Sequence, residues 1–227
     1  MVTKRHKTNF LIVSNILWVV AATVLVVGIF VSWRQYTQNK ATDKKVSQVL
    51  QAANDGHSTA VPSTKKPATD EFSQYQVAAD MPRYLFIPEI SVRAMIKPKG
   101  LTKDNQIDVP GNVYDVGWYN GGAKPGQPGA MIMDGHVFGG NIPGIFYNLK
   151  KLTPGMTLSV ERGDGKTLTY RVVKSISYDY RDVDMQAALS PISSHAPSLN
   201  LITCDGQVVR GGNNFNKRLV VFTEEIQ

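Results

Sequence analysis

Hydrophobic and polar positions divide the chain into three regimes. From Phe10 to Trp33, 24 consecutive residues carry no charge. At about 1.5 Å per residue they would make a helix of about 36 Å, enough to cross a hydrocarbon core of about 30 Å with some tilt. The run predicts a membrane-spanning helix over 10–33, preceded by a short tail, 1–9. From 34 to 80 the pattern turns polar. Ala41 to Ala53 allows a short amphipathic helix through Val46, Val49, Leu50 and Ala53, and Asp55 to Asp70 brings Pro62, Pro67 and paired lysines. Such a stretch offers no core and reads as a solvated stalk. From 81 to 227 short apolar runs alternate with turn signals, the pattern of a folded domain.

Within that domain the runs predict strands. Tyr84 to Ile87, Val92 to Ile96 and Ile107 to Val109 are each closed by a proline within two residues. Thr157 to Glu161 and Leu168 to Lys174 flank Gly163-Asp164-Gly165 and read as a hairpin. Ala130 to Asp134 and Leu199 to Cys204 read as buried strands, the second ending at the turn signal Asp205-Gly206, and Leu219 to Phe222 as another. Helical periodicity is confined to a turn or two in Pro143 to Leu152 and one near Met185 to Leu189. Many short strands with frequent turns predict an all-β sandwich or barrel.

Charge changes this picture little. The net charge of +7 points at first to a nucleic-acid partner. Residues 1–80 hold nine Lys and Arg against five Asp and Glu, leaving sixteen against thirteen for the rest. So small an excess, without a long basic run, argues against nucleic acid. Lys4, Arg5 and Lys7 before the apolar run favour a cytoplasmic N-terminus and an exported domain. Val31-Ser32-Trp33-Arg34 presents no small-residue cleavage site, so the run reads as an uncleaved anchor and not a signal peptide.

Candidate chemistry lies at two strand ends. Ala130 to Asp134 runs into Gly135-His136, where glycine lets the backbone turn and present an imidazole. Leu199 to Cys204 ends in the only cysteine of the chain. A single thiol forms no internal disulfide, so an unpaired cysteine in an exported domain calls for another role. Gly163-Asp164-Gly165-Lys166-Thr167 has the outline of a phosphate loop but carries Val160 where that motif needs glycine. No cluster has metal-ligand spacing, and His6 and His57 have no neighbours that would make a site.

Leu199 to Cys204, Arg218 at the head of Leu219 to Phe222, and Gly135-His136 together resemble the signature of sortases, the membrane-anchored cysteine transpeptidases of bacterial cell surfaces. Asp115-Val116-Gly117-Trp118-Tyr119, Gly126-Gln127-Pro128-Gly129 and Gly144 to Leu149 resemble the class E and class F branches of actinobacteria. The resemblance spans about residues 82 to 225. It implies a closed β-barrel of about eight strands with short helices behind one N-terminal transmembrane helix, in which His136, Cys204 and Arg218 converge on a groove. The chain departs from those branches at Phe138 and at Asp205-Gly206, where its specificity is expected to differ.

On that reading Cys204 is the nucleophile, His136 the general acid and base, and Arg218 the cation that steadies the oxyanion or holds substrate carbonyls. Arg210 and His195 are the rival arginine and histidine, each on a loop-like stretch. Asp134, two residues before His136, is either a partner that orients the ring or a residue of the barrel rim. Thr203 packs or hydrogen-bonds beside the nucleophile, and Asp205 would raise the thiol pKa by like-charge proximity. The implied reaction cleaves an LPXTG-like sorting signal through a Cys204 thioester and transfers the protein to an amine of a cell-wall precursor, with no cofactor and no metal. A papain-like or NlpC-like peptidase is the rival enzyme; there the cysteine precedes the histidine and starts a helix. An anchored β-domain with an inert buried cysteine is the non-catalytic alternative.

Overall fold

The computed structural model describes residues 61–103, 106–209 and 215–226, with Gly28, Phe30 and Trp33 as isolated helical positions. The chain divides into two compact units, 1–47 and 48–227. The expected membrane span and the stalk as far as residue 60 lie, those three positions apart, outside the described residues. Among the described residues no helix is long and apolar enough to cross a membrane.

In the second unit the strands are, in chain order, β1 (Pro82–Ile87), β2 (Val92–Lys99), β3 (Val116–Tyr119), β4 (Ala130–Gly135), β5 (Phe138–Gly139), β6 (Ile142–Pro143), β7 (Thr157–Arg162), β8 (Thr167–Asp179), β9 (Ser198–Val208) and β10 (Phe215–Ile226). Eight of them close into a barrel in the order β1-β2-β3-β4-β9-β10-β8-β7, and β5 and β6 form a separate ribbon. Closure leaves no open edge, which is how an all-β chain avoids pairing with its neighbours. The pairs β2–β3 and β4–β9 are parallel and the rest antiparallel. The parallel β4–β9 pair matters most, because it sets side by side two strands far apart in sequence.

Side chains alternate across each strand, so the barrel has two apolar faces to satisfy. Leu85, Ile96, Val116, Trp118, Met131, Met133, Leu199, Leu201, Leu219 and Val221 fill the interior. Fully burying a side chain of this kind stabilises by about 1.5–3 kcal/mol. A smaller cluster covers the outside of β9 and β10, where Val220, Phe222 and Ile202 meet Ala188, Val183 and Ile192. Ala188 belongs to a short helix, α2 (Met185–Leu189), in the connection where one helical turn was expected. Its start is capped by Asp184 Oδ1, which accepts from Ala187 N–H at 2.9 Å. Its end is tied down by the buried Asn200, whose Nδ2 donates to Ala188 O at 2.8 Å and Ser190 O at 2.9 Å.

Two expectations are revised. Asp205-Gly206 does not end the strand: β9 continues to Val208, and Gly206, at φ +80°, lies where the pairing with β10 shifts register between Phe215 and Lys217. Glycine takes that backbone conformation without strain, so the signal marks a bulge, not a turn. Ile107 to Val109 forms no strand and contributes only a bridge from Ile107 to Leu101.

Residues 61–80, expected as the end of a spacer, lie against the barrel. A short helix, α1 (Thr69–Gln74), stacks Phe72 on Tyr84 at 4.4 Å between ring centres. Tyr75 donates its hydroxyl to Ile96 O at 2.5 Å, and Arg83 Nε donates to Tyr75 O at 2.8 Å.

Candidate active site

Cys204 lies on β9 between β4 and β10. Alternation turns Leu199, Leu201 and Thr203 into the barrel and Asn200, Ile202 and Cys204 outward. On β10 the partner of Cys204 is Arg218. Residues directly opposite in such a pair have Cβ atoms about 4.5–5.5 Å apart and share a face. On the other side β4 runs parallel to β9, with Asp134 opposite Ile202. That pairing is the last of the β4–β9 register, and β4 ends at Gly135, one residue before His136. A side-chain bond holds the two strands together at this end, where Thr203 Oγ1 donates to Gly135 O at 2.7 Å. Cys204 and Arg218 are thus paired on the outer side of β9 and β10, and His136 follows directly after the end of β4, the strand on the other side of β9.

The imidazole is held from both ends. His136 Nε2 lies 2.7 Å from Pro110 O. A carbonyl oxygen only accepts, so Nε2 carries the hydrogen and Nδ1 is the nitrogen left to take or give a proton. On the backbone side, His136 O accepts from Phe146 N at 3.0 Å. Gly135 permits this packing, since a Cβ there would come within 2.6 Å of the Phe146 ring and 2.9 Å of Ile145.

Burial pushes the Cys204 thiol above its ordinary pKa; the Arg218 guanidinium opposes that rise and the Asp134 carboxyl adds to it. At neutral pH the resting sulfur is therefore mainly thiol. Arg218 Nη1 donates to Phe215 O at 3.1 Å and Lys217 O at 3.0 Å. Among the described residues no carboxylate forms an ion pair with Arg218. Its charge is thus available to a developing oxyanion or a substrate carbonyl.

The remaining candidates are sorted by the face they occupy. Asp134 is on the outer face of β4, yet no hydrogen bond joins it to His136, and the ring is oriented instead by the Pro110 carbonyl. Asp134 Oδ1 is buried without a hydrogen-bond partner among the described residues, and it lies where a Cβ on Gly117 would fall. Burial drives its carboxyl well above the usual range, with Lys99 opposing and Asp108 adding. Asp205, adjacent to Cys204 in sequence, accepts from Ser177 Oγ at 2.6 Å. The carboxyl that acts on the thiol is Asp134, not Asp205. His195 lies on the loop after α2, and Arg210 is outside the described residues.

A cleft of about 70 Å³ opens at Cys204, with Phe138, Tyr147, Phe215 and Lys150 around it. Phe138 packs edge-on to Tyr147 at 5.0 Å and parallel to Phe215 at 6.4 Å. Phe138 and Tyr147 are about 40% exposed, an apolar surface beside the thiol. A larger cavity, of about 100 Å³, lies between residues 66–72 and the outer side of β2. It does not reach the thiol, so the smaller cleft is the candidate site. Among the described residues no group of side chains is arranged to hold a metal ion. Sequence reasoning missed Pro110, whose contribution is a backbone carbonyl, and, although it singled out Phe138, the packing of that ring with Tyr147 and Phe215 from two other stretches.

A family model described as the sortase domain matches residues 85–226. No curated protein matches the sequence. Among solved structures, sortase A from Corynebacterium diphtheriae, in a lid mutant, is similar at 22% identity and a TM-score of 0.50, over 80% of this chain and 94% of that one. The pilus-related sortase C of Group B Streptococcus is similar at 18% identity and a TM-score of 0.50, over 83% of this chain and 91% of that one. At these identities the likeness is one of fold.

Proposed function

Because the chain belongs to the sortase family, we propose that it is a membrane-anchored cysteine transpeptidase that joins sorting-signal proteins to a cell-wall amine. The observation that carries this reading is the pairing of Cys204 with Arg218 across β9 and β10, with His136 directly after β4, the strand that flanks β9 on its other side.

In the proposed reaction His136 Nδ1 takes the Cys204 proton, and the thiolate attacks the carbonyl carbon of a Thr-Gly-type bond in an LPXTG-like signal. Arg218, charged at every working pH, stabilises the oxyanion that forms. The C–N bond then breaks, His136 gives a proton to the departing amine, and the acyl group stays on sulfur as a thioester. An incoming amine attacks that carbonyl and His136 takes its proton. Collapse returns the thiolate and leaves a new amide. Electrons and protons balance with no oxidant and no cofactor. The uncharged run 10–33 supports a single-pass anchor with the barrel outside the cell. Asp115 to Tyr119 and Gly144 to Leu149 support a class E or class F type.

The test is turnover of a panel of LPXTG-like peptides with and without an added amine. Peptide cleavage with transfer to the amine, absent in Cys204→Ala and His136→Ala, is the expected result. Cleavage that persists in Cys204→Ala, or a wild type inert toward the whole panel, would overturn the reading.

A further inference from the structure

The segment before the barrel bonds to the loop that holds the imidazole. Ser63 N–H donates to Gly111 O at 2.8 Å, and Val113 N–H donates back to Ser63 O at 2.9 Å. Asn112 Nδ2 donates to Lys65 O at 2.9 Å, while its Oδ1 accepts from Tyr114 N–H at 3.0 Å. Pro62 packs near Gly139, against which the buried Val113 is pressed. The far side of the same turn is held by Val113 O, which accepts from Ile145 N–H at 2.8 Å.

Gly111 gives this arrangement its meaning. Pro110, whose carbonyl receives His136 Nε2–H, is followed by a glycine that, among the described residues, has no neighbour within 4 Å of where a Cβ would be. A glycine in open space leaves its flanking peptide planes free to turn, and with them the preceding carbonyl. The bond from Ser63 to the Gly111 carbonyl removes that freedom. Further along, α1 fixes the segment to β1 and β2 through Phe72 and Tyr75.

The geometry points to a positioning role for the backbone at Ser63 and Lys65: the two residues act as a strap that presents the Pro110 carbonyl to His136, so that Nε2 keeps its hydrogen and Nδ1 stays free to take and give the proton. This rests on His136 being the proton carrier of the reaction proposed above. Imidazole works as an acid and base only when its reactive nitrogen is held within hydrogen-bond reach of the group it serves. A ring free to rotate or to change tautomer spends time with the wrong nitrogen presented, which lowers kcat and leaves substrate binding nearly unchanged.

The experiment uses the full chain with Ser63→Pro, which deletes the N–H that reaches Gly111, and Asn112→Ala, which deletes the bond to Lys65. Thr64→Ala, exposed and on the same segment, is the control. Nitrogen NMR of the histidine rings, assigned by the signals lost in His136→Gln, reads the tautomer directly, and urea unfolding checks that each variant is folded. The expected result is a single Nε2–H tautomer in the wild type and in Thr64→Ala, and a mixture in both strap variants. Their kcat should fall by about tenfold with KM changed less than about twofold. A wild-type tautomer in both strap variants overturns the proposal, as does a rise in KM alone. Should Ser63→Pro fail to fold, Asn112→Ala decides. A wild type that processes no peptide sinks the transpeptidase reading and still leaves the ring tautomer to judge the strap.

Discussion

Replacing Thr203 by valine tests how the two strands of the site are held together. Thr203 is 5% exposed, faces the barrel interior, and donates its hydroxyl to Gly135 O at 2.7 Å. Valine keeps the shape and exchanges the hydroxyl for a methyl. The lost bond is worth about 1 kcal/mol net, and a carbonyl deprived of a buried donor costs about 1–3 kcal/mol. Against this the extra methyl returns at most about 0.8 kcal/mol. A net destabilisation of about 1–3 kcal/mol follows from these three magnitudes. The bond lies one residue before both Cys204 and His136, so a shift of a fraction of an ångström passes to both, and kcat should fall about tenfold to a hundredfold. The assay pairs urea unfolding, followed by fluorescence including that of the buried Trp118, with steady-state turnover. Thr203→Ser is the informative companion: it keeps the hydroxyl and loses a methyl, so it should cost about 1 kcal/mol in stability and much less in rate. A valine variant with wild-type kcat, or a serine variant slower than valine, refutes the reasoning.

Three further outcomes are expected. Gly144→Ala places a Cβ against the His136 carbonyl, which is backbone and cannot swing aside; it should destabilise by about 1–3 kcal/mol in urea and lower turnover further than the same change at the exposed, unobstructed Gly111. Alkylation of Cys204 by iodoacetamide should rise with pH to a midpoint above that of a free cysteine, because burial raises the thiol; Arg218→Ala should move the midpoint higher still, and an unshifted midpoint in both proteins would contradict the account. Asp134 has its folded-state pKa above its unfolded one, so its contribution to stability is present at acid pH and lost as pH rises through the folded value. Asp134→Asn should therefore melt above the wild type near neutral pH, with the gain shrinking below about pH 4; equal melting temperatures at neutral pH would count against the buried carboxyl.

The parts of this fold that depend on side-chain alternation were legible. Ala130 to Asp134 and Leu199 to Cys204 read as strands because their residues suit a pleat buried on both faces, and both are strands. Alternation also explains the exchange of roles between the two aspartates. Asp205 is next to Cys204 in sequence and so points to the opposite side of β9, whereas Asp134 pairs with Ile202 and shares the outward face of the thiol. Sequence adjacency was a poor guide there, and strand parity a better one. Closure of the barrel and the parallel β4–β9 pair could not be read from residue pattern alone, since both depend on which distant strands meet; they came with the family resemblance. The role of residues 61–80 was hidden for another reason. Their attachment uses backbone bonds at Ser63 and isolated aromatic contacts at Phe72 and Tyr75, neither of which leaves a periodic signal. Pro110 was invisible on the same grounds, because every residue has a carbonyl and only the folded chain determines which one meets His136.

The central claim, that Cys204 carries the acyl group between a sorting signal and an amine, is tested most directly by intact-mass spectrometry of the full chain. Incubated with an LPXTG-like peptide and no amine, the protein should gain the mass of the peptide acyl fragment at Cys204, and adding an amine should discharge that fragment as a new amide. An adduct that also forms on Cys204→Ala, or a wild-type mass that never changes with any peptide of the panel, would contradict it.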